Sequence, residues 1–422
     1  MADAADSISV AEHLSRILAD LTPQPPRPVP LADALGLVLA EDVAARVAVP
    51  GFDNSAMDGY AVHLADVAAA SAQHPVVLQV VADLPAGSPD DPDLAPGQAA
   101  RIMTGAAMPD AADCVVPVEL TDAGLTSVTI RSAPAQRRNV RLVGSDVQVG
   151  DIALTAGRVL TSRDIAAAAA VGHSELPVHP RLRVAVISTG SELVTAGGSL
   201  ARGQIHDSNS WLLAAAVAEL GADPVRIATV PDDEDRLRAA FEQVAGTVDA
   251  IVTSGGVSVG AYDVVKALLS PLPTMCFGPV RMQPGKPQGF GRWLDGTPVF
   301  TLPGNPVSVF VSFETFVAPA LRLLQGRTAL SRPVLEGIAD QGWRSPAGRA
   351  HFMPVVAVRA ADGRLRVRPA ARGGSGSHLV ASLAGANAIA IVPEDVTEVQ
   401  AGDQVAVSVV TEPHVTEPAP AD

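Results

Sequence analysis

Lysine is almost absent from this chain: two of its thirty basic residues, Lys266 and Lys286, against twenty-eight arginines. Cysteine is limited to Cys114 and Cys276. That leaves no disulfide framework and no zinc ribbon, and it suits a reducing compartment, so a cytoplasmic location is expected. Aromatic residues make up 3% and charged residues 18%, but 48% of the chain is hydrophobic, which excludes a disordered polymer. A formal charge of −15 excludes a nucleic-acid binder, which needs a basic face, while leaving room for a local basic pocket for a small anion. The start MADAADSISV has no basic region followed by an apolar one, so no signal peptide is expected. The longest apolar stretch, 307–324, contains Glu314 and reads as a buried helix rather than a membrane span. P-loop, dinucleotide-binding, H-E-x-x-H and C-x-x-C patterns are all missing.

What is present is organised in blocks. The 422 residues imply roughly two to four domains. Ser9 and Glu12 look like a capping box opening a helix, with Val10, Leu14, Ile17, Leu18 and Leu21 on one face. The run PQPPRPVP reads as a stiff spacer. Between 47 and 143 short apolar runs at 75–81, 114–120 and 125–130 lie among Gly, Pro and Asp clusters, the texture of a β-rich module. Thr161 and Asp164 form a capping pair before an Ala-rich helix ending near Val171. From Arg181 onward, apolar runs without alternation (183–188, 225–230, 250–253, 274–277, 299–302) alternate with helical segments at 210–220, 232–244, 263–269 and 306–324. That pattern predicts an α/β domain with a parallel sheet. A small β domain is expected over 334–410, then a polar, Pro-rich tail without fixed structure.

Three strand ends run into small, glycine-rich loops: Ser188-Thr189-Gly190-Ser191-Glu192, the segment from Thr253 through Ser254, Gly255, Gly256 and Ser258 to Gly260, and Leu302-Pro303-Gly304-Asn305-Pro306-Val307-Ser308. Ligands of a parallel sheet bind beyond the carboxyl ends of its strands, where glycine lets the backbone approach an oxyanion and helix N-termini offer N–H groups. Glu192, Asp263 and Asp232-Asp233 fall on the same edge, a set suited to Mg²⁺, which needs one or two carboxylates plus substrate phosphate and water. For Asp232, helix capping is an equal alternative. Lys286 resists the Arg-for-Lys bias and sits between Gly285 and Pro287; a compact ammonium fits a small oxyanion pocket better than a planar guanidinium. Gly256-Val257-Ser258-Val259-Gly260 also matches a nucleophile elbow, with His351 and His378 downstream, so a serine hydrolase using Ser258 stands as a minor alternative.

PGFDNSAMDGYAV at 50–62, RIMTGAAMPDAAD at 101–113, STGSEL at 188–193, TSGGVSVGAYDVV at 253–265, MQPGKPQGFG at 282–291 and LPGNPVSV at 302–309 occur in one order. Together they resemble the molybdopterin molybdenumtransferase family, which includes the gephyrin E domain. The resemblance implies molybdenum insertion into adenylylated molybdopterin with Mg²⁺-dependent hydrolysis of the adenylate, molybdate being the second substrate. It implies four domains: a discontinuous elongated domain I (1–49 and 144–180), a β-rich domain II (50–143), an α/β domain III (181–328) with a molybdopterin adenylyltransferase-like fold, and a β domain IV (329–411), with a disordered tail at 412–422. It also implies a homodimer with each site shared between subunits, a molybdopterin adenylyltransferase as upstream partner, and neither nucleic acid nor membrane as a partner.

Carried over by position, the resemblance makes Asp58 and Thr104 residues that face the cleft from the β-rich module, Asp146 an acidic site position after it, and Glu192 and Asp263 the acids tied to metal and catalysis. Asp232 or Asp233 becomes a further acid, Lys286 the lysine of PGKP, and Pro303 and Pro306 the loop prolines. Ser308, Arg349 and Ser377 become candidates for holding molybdate. Many members carry a lysine where this chain has Gln283, so Lys286 is the only lysine in the pocket. The third-domain blocks alone also fit a stand-alone adenylyltransferase or a nucleotide amidase relative, and a non-catalytic scaffold is a further alternative; such a scaffold would lack Glu192 and Asp263, which are present here.

Overall fold

A computed structural model describes residues 7–132, 138–257, 263–371 and 376–412, together with the backbone of 414–415. The central sheet is built from β1 (Arg183–Ser188), β2 (Asp223–Arg226), β3 (Ala250–Ser254), β4 (Cys276–Pro279), β5 (Pro287–Arg292) and β6 (Pro298–Leu302), in the order β2-β1-β3-β6-β5-β4. The first four in that order are parallel, as the alternation of apolar runs and helices predicts. Val184 and Val186 join one core and Ala185 and Ile187 another, so β1 is buried on both faces and shows no polar alternation. The last two strands are antiparallel. The chain passes from β5 to β6 through the short Trp293–Thr297 turn, where the Trp293 N–H donates to the Thr297 carbonyl; so short a link cannot make a parallel crossover. β5, rich in Gly, Pro and Gln, carries no apolar signal and was not expected as a strand. β2 also ends at Arg226, short of the expected 230, and Val230 only bridges Thr189.

The apolar stretch Pro306–Leu324 is a buried helix, 78% of it inside the protein. Its middle, Phe313–Val317, winds as a π turn. Pro319 lies just beyond; it has no N–H to give and its ring crowds the carbonyl four residues back, so the wider turn accommodates it. Glu314 on this turn is buried against the Arg332 guanidinium, with oxygens 2.5 and 3.0 Å from Nε and Nη2.

The N-terminal helix Val10–Ala19 packs on this long helix rather than with the rest of residues 1–49: Ile17 and Leu21 belong to the central core, and His13 stands edge-on to Phe316 at 4.7 Å. The expected capping box is half made. Ser9 accepts from the Glu12 N–H, but Glu12 turns to Arg16 instead of reaching back. The Pro-rich spacer is a strand at its end: Arg27–Pro30 pairs antiparallel with Glu175–His179. It lies at the edge of its three-stranded sheet, where a missing proline N–H costs no ladder bond. Thr161 and Asp164 cap helix Ser162–Ala170 as expected. The β-rich module is a five-stranded sheet, Cys114–Pro117, Gly59–Val62, Gln98–Ile102, Val76–Leu84 and Ser127–Ile130 in spatial order.

The C-terminal β domain closes on itself. Ala350–Arg359 pairs with Leu365–Pro369 on one side and with Ala388–Val392 on the other, and Val334–Ala339 and Gln404–Val409 complete a five-stranded barrel. Two further strands attach to Ala350–Arg359: Met282–Gln283 from the central domain and His414–Val415 from the segment expected to be unstructured. His351 lies opposite Val392, a barrel-core residue, and is fully buried; neither ring nitrogen has a hydrogen-bond partner among the described residues.

Burial pushes the His351 imidazole down to about 4, and burial aided by Arg16 does the same to His13. Both stay neutral in the fold, while the unfolded chain takes up a proton near pH 6.5. Their contribution is therefore complete above about pH 6.5 and is lost as pH falls toward 4. The melting temperature is expected to drop between pH 7 and pH 5, and less so in His351→Phe. A wild-type melting temperature that stays flat over that range contradicts this.

Candidate functional site

A cavity of about 970 Å³ lies at the carboxyl edge of the four parallel strands, at the top of the size range of small-molecule sites. All three glycine-rich loops reach it, through Thr189, Gly190 and Glu192, through Ser254, Gly255 and Gly256, and through Pro303, Gly304, Asn305, Pro306 and Ser308. Ser258 and Gly260 of the second loop lie outside the described residues. The loops are held by one another. The Gly190 N–H donates to Val230, the Thr189 N–H to Ser254 and the Gly255 N–H to Leu302. Gly255 has φ +94°, and a Cβ there would stand 2.6 Å from the Thr189 carbonyl oxygen, so only glycine fits. The N–H groups at 190 and 255 thus serve the contact between loops, and the cradle of free N–H groups is narrower than the sequence alone suggested.

Four carboxylates line the cavity. Glu192 is exposed and its carboxylate folds back over Gly190, where a Cβ would meet Oε2 at 2.6 Å. The two aspartates at 232 and 233 divide their work. Asp233 caps helix Glu234–Val244 by accepting from the Arg236 N–H. Asp232 lines the cavity, accepts from the Ser191 N–H at 2.9 Å, and gives its own N–H to the Ser191 hydroxyl. Asp263 lines the cavity while capping helix Val264–Leu269 through the Lys266 N–H. Asp207, absent from the sequence-derived set, is a fourth carboxylate here; it is 2% exposed and accepts from the Ser210 N–H and hydroxyl and from Thr229. Its neighbour Asn209 clamps the third loop, donating to the Gly304 carbonyl at 2.7 Å. Before a helical run, Asp207-Ser208-Asn209 reads as capping chemistry, which hid its place in the site. Among the described residues no three metal-binding side chains converge, so Glu192, Asp232 and Asp263 form no closed cation cage.

Basic residues line the cavity as well. Gln283 and Lys286 line it from the arm between β4 and β5. The arm is fixed at both ends: the Val280 N–H donates to the Lys286 carbonyl, and the Gln288 amide donates to the Gly285 carbonyl and the Ser312 hydroxyl, each at 2.6 Å. Lys266 sits on a short helix outside the lining. The C-terminal domain supplies the facing wall, with Arg349, Ser377 and His378. Ser377 is tied to the third loop, its hydroxyl accepting from Asn305 and its carbonyl from the Val307 N–H, both at 3.0 Å.

Asp58, Thr104 and Asp146 do not line this cavity. Asp58 and Thr104 form a unit in the β-rich module, with Oδ1 accepting from both the Thr104 hydroxyl and N–H at 2.7 Å. Those bonds, the hydroxyl first, hold the exposed Asp58 carboxyl below the usual carboxylate range. Asp146 is exposed on the segment after the module. Of the two histidines offered for a hydrolase triad, His351 is sealed in the barrel core and His378 lines the cavity, while Ser258 lies outside the described residues.

Three family models match the chain in succession: MoeA N-terminal region (domain I and II) over 8–172, probable molybdopterin binding domain over 185–323, and MoeA C-terminal region (domain IV) over 336–410. The chain is 45% identical over 406 residues to molybdopterin molybdenumtransferase 2 of Mycobacterium tuberculosis, covering 94% of this chain and 98% of that one. It is 34% identical over 381 residues to molybdopterin molybdenumtransferase of Haemophilus influenzae, covering 89% and 92%. A crystal structure of the molybdopterin biosynthesis MoeA protein of Pyrococcus horikoshii superposes with a TM-score of 0.82 at 30% identity, covering 96% of this chain and all of that one.

Gly255→Ala is expected to lose about 2 kcal/mol or more of stability, because the left-handed backbone and the clash with Thr189 add. Gly36→Ala, also left-handed but with nothing within 4 Å, should cost only about 1 kcal/mol. Equal losses in urea denaturation would show that the loop contact is not tight.

Proposed function

The chain belongs to the molybdopterin molybdenumtransferase family, and from that premise we propose that it inserts molybdenum into molybdopterin, using molybdate and adenylylated molybdopterin as substrates. The observation that carries this reading is the two-signed cavity. Glu192, Asp207, Asp232 and Asp263 line it together with Lys286, Arg349 and His378, along with the backbone of the glycine-rich loops. A substrate that carries a pyrophosphate linkage and receives an oxyanion matches that mix of charges. The basic residues suit molybdate: Lys286 acts as a point charge, Arg349 as a fork, and Ser308 and Ser377 as hydroxyl donors.

The carboxylates suit Mg²⁺ held by Glu192 and Asp263, with Asp232 alongside. Without a closed cage, most of the ion's ligands would be substrate phosphate oxygens and water, which is its ordinary preference. Bound there, the ion would neutralise phosphate charge and lower the pKa of water. In the hydrolysis, a water oxygen bonds to phosphorus, the bridging P–O bond breaks, and AMP leaves. Glu192, exposed at the cavity wall, accepts the proton from that water. The Asp232–Ser191 bonds hold the loop that carries Glu192 in place.

Asp58, Thr104 and Asp146 lie outside the chain's own cavity and complete the site of a second copy in a homodimer. Phe52, Met57, Leu142 and Val143 are exposed around the paired segments Asn54–Ser55 and Val140–Arg141, an apolar surface for such a contact. A molybdopterin adenylyltransferase supplies the substrate, and the reaction takes place in the cytoplasm.

With the protein incubated with adenylylated molybdopterin, Mg²⁺ and molybdate, AMP release should depend on molybdate. Glu192→Gln should fold normally and lose about a hundredfold in rate. Lys286→Ala should raise the molybdate half-saturation about tenfold, the share of one charge-assisted hydrogen bond. Unchanged hydrolysis in the first or unchanged half-saturation in the second removes that residue from its role. Mixing Asp58→Ala with Glu192→Gln tests the shared site. Half of the mixed population is heterodimer with one intact site each, so about a quarter of wild-type activity should return. No recovery places Asp58 outside a shared site.

A further inference from the structure

We propose that His378 is an oxyanion-binding residue of the cavity, supplied by the C-terminal domain alongside Lys286 and Arg349; this rests on the reading above. The imidazole lines the cavity and is exposed, and Ser377 and Val380 beside it line the same space, so this segment presents its side chains to the site. Its backbone is fixed from both domains. Ser377 takes the Asn305 amide and the Val307 N–H of the third loop, and the Val380 N–H donates to the His378 carbonyl. The ring lies close over the bare Cα of Gly376, where a Cβ would stand 3.2 Å from Cε1. Because the backbone, not the imidazole, makes these bonds, the ring is placed without being consumed by the packing that places it. Its chemistry matches that of Lys286 and Arg349, which line the same cavity. An imidazole N–H donates to an oxyanion whether the ring is neutral or protonated, and Gln283 on the arm adds no charge of its own there. The ligand class is a tetrahedral oxyanion, either molybdate itself or the phosphate end of the pterin substrate.

The full-length protein, His378→Ala and Lys286→Ala are titrated calorimetrically with sodium molybdate and, separately, with inorganic phosphate, after thermal melts confirm equal folding. The expected result is weaker binding of at least one oxyanion in His378→Ala, by about tenfold. Loss for molybdate assigns the ring to the metal oxyanion, and loss for phosphate alone assigns it to the substrate's phosphate. His378→Ala binding both within twofold of wild type, while Lys286→Ala loses affinity, overturns the role of His378 and leaves the cavity reading intact. Wild-type protein that binds neither oxyanion overturns the oxyanion reading of Lys286 and Arg349, and of His378 with them.

Discussion

Everything in the site depends on how closely three backbone loops approach at one edge of the central sheet. β1, β3 and β6 end side by side, and Gly255 is held against the Thr189 carbonyl at a distance no Cβ allows. That contact fixes where Glu192, Ser254 and Gly304 stand relative to one another. It also decides what the loops have left to offer. Part of their N–H inventory is spent on neighbouring carbonyls, so charge for an anion has to come from side chains brought in from elsewhere.

Those side chains arrive by two routes. The arm bearing Gln283 and Lys286 leaves the central sheet, pairs with the barrel strand Ala350–Arg359, and returns as β5. The segment bearing Ser377 and His378 leaves the barrel and binds the N-terminal turn of the long helix. Each domain therefore holds one end of the other's contribution, and the Glu314–Arg332 pair, with Arg332 also donating to Val410, joins them a third time. A net charge of −15 is compatible with an anion site because Lys286 and Arg349 are both brought to the cavity at this seam.

The sequence was most legible where one local signal had one local cause. Apolar runs without alternation marked the doubly buried strands, and glycine clusters after them marked the loops. Legibility failed where tertiary context overrode the local signal. β5 has no apolar pattern because glycines at 289 and 291 pack against Phe277 and Met275. Asp232 and Asp233 look alike in sequence, and only the bond to Ser191, forty-one residues away, separates cavity from cap. The barrel's wall of the cavity was read mainly through resemblance, since nothing near Arg349 or Ser377 announces a site. In sequence His378 reads only as a possible triad partner, because it lies outside the α/β domain whose loops carry the glycine signals.

The pairing of Met282–Gln283 with Ala350–Arg359 has a consequence for how this architecture can be cut and recombined. A strand of the C-terminal sheet is on loan from a segment lying some seventy residues earlier, within the central domain. An excised C-terminal domain would expose an open ladder, and an excised central domain would leave its lysine arm unanchored. The boundary near residue 330 is a boundary in the chain but not in the hydrogen-bond network. Shuffling domains at that point among relatives would require the arm and the barrel to be exchanged together.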